Sequence, residues 1–202
     1  MDRIEGPFAT ANAYCSFRES QLGKGASDIG TRTVCVDIEL EGDVAPRVKT
    51  GQAIRGYRFV TLEHGTHLVV ETATGWYGRE LESASNGDSA YVAAVRLADV
   101  IGDRDDELVI DTAHSHEPCG CDADLWHTMT TTVACTVRDG ALLCTDGTTT
   151  ADDMHLADIW SWSSTLSITR DGYARRVITA SENVSARKLR ALAKPSRLRF
   201  RR

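Results

Sequence analysis

With 202 residues, 42% hydrophobic and 26% charged, the chain is long enough for one domain that buries about 70% of its unfolded surface, so folding alone does not call for a metal. No run approaches the ~20 apolar residues of a membrane-spanning helix. The formal net charge of -6 divides unevenly: residues 187–202 carry eight basic residues and no acid, which leaves the first 186 with 15 basic against 29 acidic, a balance of -14, and an acidic body repels nucleic acid.

The opening MDRIEGPF has no apolar core of the kind a signal peptide carries, so the chain either starts after a removed leader or is cytosolic. Six cysteines, Cys15, Cys35, Cys119, Cys121, Cys135 and Cys144, make an even set. In an oxidising compartment they predict up to three disulfides; in a reducing one they would be buried thiols or serve metal or redox chemistry. The bias to Arg, 19 against four Lys, is the composition of a GC-rich bacterial genome.

β-Branched residues dominate the apolar runs, and Gly, Asp, Asn and Thr interrupt them at short intervals, the pattern of strands. In chain order these are residues 33–40, 56–62, 67–72, 76–81, 91–97, 107–112, 131–138, 141–145, 163–170 and 173–180. That density predicts an all-β or mainly β fold, an antiparallel sandwich, barrel or rolled sheet. The expected organisation is a single β-rich domain over 1–186 with a basic tail over 187–202. No repeat of 20 to 50 residues marks a solenoid or propeller.

Two connections read as two-residue hairpins, Asp139-Gly140 in CTVRDGALLC and Asp171-Gly172 in SITRDGYARR, because Asp-Gly accepts the paired positive φ angles of a type I′ turn. Thr74-Gly75 in VETATGWYG is a third bend. Counting outward from Asp139-Gly140 sets Cys135 opposite Cys144 as a non-hydrogen-bonded pair with Cα atoms about 4.5 Å apart, inside the span of a disulfide. The simplest partition of the rest joins Cys15 to Cys35 and leaves Cys119 and Cys121. Those two bridge each other under strain or reach Cys135 and Cys144 from a neighbouring strand, and spacing does not choose. The one predicted helix is SARKLRALAK, with Ser185 as N-cap and Pro195 as stop, and RLRFRR after it reads as an edge strand whose arginines are able to meet an anionic surface.

Within DVIGDRDDE, Asp99, Asp103 and Glu107 stand at positions 1, 5 and 9, and Asp105 at position 7 offers a carbonyl. Clustered oxygens on a tight loop suit a hard cation such as Ca²⁺. The stretch DVIGDRDDELVI, residues 99–110, resembles the calcium loop of FG-GAP repeats of the integrin-α type, which runs like DVNGDGRDDLVV. Asp99, Val100, Gly102, Asp103, Asp106, Leu108 and Val109 match directly. The resemblance implies Ca²⁺ held by Asp99, Asp103, Asp105 and Glu107. It covers 12 residues, and a single copy does not imply the propeller that the family builds. Two departures stand out: Ile101 replaces an oxygen ligand, and Arg104 replaces a glycine while bringing a positive charge that, like Arg96, is able to brace the carboxylates in place of a cation.

HSHEPCGCDADLWH holds His114, His116, Cys119, Cys121 and His127, residue types that bind zinc, and alternation puts His114 and His116 on one face. His64 and His67 in EHGTH flank a turn and are expected on the surface. Among Trp76, Tyr77, Trp126, Trp160 and Trp162, core or rim positions are expected, with IWSW the best candidate for an exposed platform. The nucleophile elbow, the zincin helix, the phosphate loop and the dinucleotide fingerprint are all missing. The reading is therefore an extracytoplasmic binding or structural domain for a protein or carbohydrate ligand, secreted or periplasmic if the cysteines are paired and cytoplasmic if they are free. The alternative is a zinc- or carboxylate-dependent hydrolase built around His114, His116 and His127.

Overall fold

The runs of β-branched residues form strands along most of the chain. The computed structural model describes residues 6–22, 38–49, 52–62, 65–83, 88–116, 126–155, 159–168, 173–197 and 199–201. The elements are helix α1 (Ala11–Leu22), strands β1 (Ile38–Asp43), β2 (Gly56–Leu62), β3 (Gly65–Thr72), β4 (Gly75–Ser83), β5 (Asp88–Ala98), β6 (Glu107–His116), β7 (Trp126–Arg138), β8 (Ala141–Thr145), β9 (Thr148–His155), β10 (Trp160–Ile168) and β11 (Tyr173–Glu182), helix α2 (Ala186–Leu192), and strands β12 (Ser196–Arg197) and β13 (Phe200–Arg201). Among the described residues the fold is mainly β, with two antiparallel sheets and two short helices. The Asp171-Gly172 bend and residues 33–37 of the first expected strand lie outside the described residues.

The chain divides into two compact units, Met1–Ala84 with Thr136–Leu143, and Ser85–Cys135 with Cys144–Arg201. In the first, β1 to β4 form a four-stranded meander. Phe8 extends it by exchanging backbone hydrogen bonds with Trp76, at 2.7 and 2.8 Å. The helix α1 is a departure from the single helix that the sequence predicts. The Thr10 hydroxyl accepts from the Ala13 N–H at 3.1 Å, as an N-cap does, and Ala11, Tyr14 and Cys15 then fall at i, i+3 and i+4. These three pack with Val60 and Val69 into a core that Phe8 and Trp76 border. Tyr14 lies flat over Gly78, where any Cβ would stand 2.4 Å from its ring, so a glycine at that strand position sets how closely the helix sits.

In the second unit the strands run β12-β11-β10-β9-β7-β6-β5, with β8 pairing β7 and β13 pairing β8. Trp126 to Thr132 of β7 pair with β9, and β7 also pairs with β8. Strand β9, TTTADDMH, is not among the strands expected from the sequence, since its two aspartates break the apolar pattern. It is a strand because Thr148 and Thr150 are buried, Thr150 meeting Thr132 hydroxyl to hydroxyl at 3.0 Å, while Asp152 takes a histidine partner. Val100, Val109 and Ala134 form a core with Ala98 and Ile101 against it. Helix α2 starts where expected: the Ser185 side chain accepts from the Lys188 N–H at 3.2 Å.

The β7–β8 hairpin closes as its residues dictate, with φ of 50° at Asp139 and 71° at Gly140. Cys135 and Cys144 are disulfide-bonded with Cα atoms 4.1 Å apart. Nothing lies within 4 Å of a Cβ built at Gly140, so any cost of a side chain there comes from its φ alone. Gly140→Ala should therefore lower stability by about 1 kcal/mol, read as a shift of the urea midpoint at constant slope.

Candidate functional site

The acidic residues 99–106 form the loop between β5 and β6, whose last register pair is Ala98 with Glu107. The loop is tied by its own backbone donors. Asp99 accepts from the N–H groups of Gly102 at 2.6 Å and Arg104 at 2.9 Å, Asp103 accepts from Asp105 at 3.0 Å, and Glu107 accepts from Val100 at 2.9 Å. Asp105 and Glu107 are buried. The four residues expected to hold Ca²⁺ thus share one turn. Arg104 stands at φ 76°, the left-handed region for which a glycine is the usual choice.

The bracing expected from arginine takes a different form. Arg96 pairs with Asp111 outside the loop, and among the described residues the Arg104 guanidinium has no carboxylate or hydrogen-bond partner. Backbone N–H groups perform that role because the tight loop already points them at Asp99 and Asp103. Among the described residues no three His, Cys, Asp or Glu side chains converge as metal ligands.

Register places His114 opposite Met129 and His116 opposite His127, so all three histidine positions fall on one face of β6 and β7. His127 Nε2 lies 2.7 Å from Asp152 Oδ1 on β9. Cys35, Cys119 and Cys121 lie outside the described residues, as does His64. Cys15, like Cys135 and Cys144, is disulfide-bonded.

His67 corrects the expectation of a surface histidine, since it is 3% exposed on β3 beneath α1. Its Nδ1 lies 2.9 Å from the Tyr14 hydroxyl, and its register partner Glu80 holds Arg18 at 3.1 Å. Burial, and secondarily the Arg18 charge, push its pKa down to about 4, so the imidazole is neutral at ordinary pH. The tryptophans also differ from a platform. Trp162 is 3% exposed, so IWSW does not present two open rings, and Trp160 is capped by the Lys188 ammonium 3.3 Å from its centroid. Tyr77 is buried in the first unit.

A cleft of about 400 Å³ opens on the first unit's sheet, lined among others by Glu41, Asp43, Gly56, Arg58, Glu71 and Trp76. Sequence reasoning missed it because its residues come from four strands, and none of them is unusual beside its chain neighbours. Comparison of the chain with family models, with curated proteins and with solved structures finds no match.

The buried imidazole carries a pH signature. The unfolded chain protonates His67 near pH 6.5 and the folded one only near pH 4, so its contribution is full above 6.5 and is lost as pH falls through that window. Urea unfolding from pH 7.5 to 4 should show a loss on the order of 2–3 kcal/mol that His67→Gln removes.

Proposed function

We propose that the chain is a disulfide-braced binding domain of an oxidising, extracytoplasmic compartment, with a protein or carbohydrate ligand. The observation that carries this reading is the Cys135–Cys144 bridge across β7 and β8, joined by the bonded state of Cys15. Disulfides persist where glutathione and thioredoxin do not reduce them. Among the described residues no helix is long and apolar enough to cross a membrane. Intact mass of unreduced, unfolded protein should show at least two disulfides, and six alkylatable thiols would remove the reading. Reducing the Cys135–Cys144 bridge should cost about 2–3 kcal/mol, since it closes a loop of only about ten residues.

In this reading the 99–110 loop is an FG-GAP-like calcium loop that keeps its form through backbone hydrogen bonds. Asp99, Asp103, Asp105 and Glu107 are the oxygens that Ca²⁺ would meet, but Ile101 supplies none, so the ion adds little. A thermal titration checks this: millimolar Ca²⁺ should leave the Tm nearly unchanged, and Ile101→Asn should create a response that Asp103→Ala abolishes. In chelator, Arg104→Gly should raise stability by up to about 1 kcal/mol by relieving the left-handed φ. A guanidinium that braced the carboxylates would give a loss instead.

One observation favours the hydrolase alternative. Asp152 is placed to orient His127, which stands across from His116 and one face-step from His114, the arrangement in which a carboxylate fixes an imidazole for metal or proton work. Stoichiometric zinc in the purified protein would move the reading there.

A further inference from the structure

Going beyond that reading, we infer that the cleft on the first unit's sheet is a recognition site for a primary alkylammonium group, seated in a notch at Gly56 between Asp43 and Glu71. Register sets Asp43, Gly56, Glu71 and Trp76 in one row across β1, β2, β3 and β4, so all four occupy the same face. Glycine in the middle of such a row leaves bare backbone where every neighbour has a side chain, the mark of a close approach from outside. Three oxygens border that space: Asp43 Oδ1 and Glu71 Oε2 each at 3.5 Å and the Gly42 carbonyl at 3.6 Å from where a Cβ would stand. The two carboxylates are thus within about 7 Å of each other, and among the described residues neither has an ion pair or side-chain hydrogen bond.

The adjoining row shows how the cleft treats a cation. Arg58 stacks over the Trp76 ring at 5.1 Å and pairs with Glu41 at 3.1 Å. That Arg satisfies Glu41, leaving two negative charges in the notch whose mutual repulsion a bound cation relieves. Three oxygens are too few for the six to eight that Ca²⁺ takes, whereas an ammonium has three N–H donors, and its alkyl stem has Trp76 beside it. Helix α1 covers Val60, Val69 and Gly78 on the same face, and the cleft opens at the other end of that face, at Glu41, Asp43 and Gly56. A free aliphatic diamine and a lysine side chain of a partner share this chemistry.

The full chain, isotopically labelled, should be titrated with 1,5-diaminopentane and separately with Nα-acetyl-lysine methylamide, following the Gly56 amide and the Trp76 indole by NMR. Saturable shifts at both probes are expected, with the tighter of the two compounds naming the source. Gly56→Ala adds a Cβ at ordinary contact distance, so the fold is kept while the notch is filled, and binding should weaken about tenfold. Glu71→Gln should do the same. Glu182→Gln, an exposed charge on β11, should not, and the Tm of each variant checks the fold. Absence of saturation by either amine, binding indifferent to Gly56→Ala and Glu71→Gln, or saturation by Ca²⁺ alone at the same resonances would each overturn the assignment. None of these outcomes depends on the disulfides or the compartment.

Discussion

Two consecutive left-handed residues, Asp139 and Gly140, close the β7–β8 hairpin with no spare residue, and from that point the register of the longest strand is set. Everything paired to β7 inherits it. Nine residues of β6 align along one edge, from Leu108 opposite Cys135 to His116 opposite His127. On the other edge β9 takes over where β8 ends, so that Thr148 faces Thr132 and Asp152 comes within reach of His127. A slip of one residue would turn Val109 and Ala134 out of their core, and it would separate the two sulfurs that the turn aligns.

The polar interior follows from the same alignment. Thr112, Thr131, Thr132, Thr148 and Thr150 are buried in the middle of the sheet; the Thr112 hydroxyl donates to the Thr131 carbonyl and the Thr132 hydroxyl to Asp111, and Thr132 and Thr150 meet hydroxyl to hydroxyl. β-Branched shape is what fits them to strands, and local hydrogen bonding is what makes their burial tolerable. The acidic loop applies the same rule at its own scale, with carboxylates taking the N–H groups that a tight reversal leaves over.

What could be read in the residues was what depends on near neighbours. Strands at 56–62 and 141–145, the Asp139-Gly140 reversal, the Ser185 cap and the Cys135–Cys144 pair are set by alternation, turn chemistry and counting. The failures all involve distant partners. Helix α1 has little amphipathic pattern of its own and is held by Val60 and Val69, some 50 residues on. His67 looked like a surface residue because a turn precedes it, yet Tyr14 covers it. Strand β9 needed the His127 partner to make sense of Asp152, and the cleft needed four strands in register before Gly56 meant anything.

The disulfide at the base of the β7–β8 hairpin makes Thr136–Leu143 part of a closed ring. Tension applied to the chain on either side then passes through the sulfurs and never reaches the turn. The ring keeps its shape under any pull that spares the covalent bond, and only reduction puts the tip under load. Mechanical resistance at this point of the molecule is therefore set by the redox state of its surroundings, and hydrogen bonds near the turn contribute only after the bridge has opened.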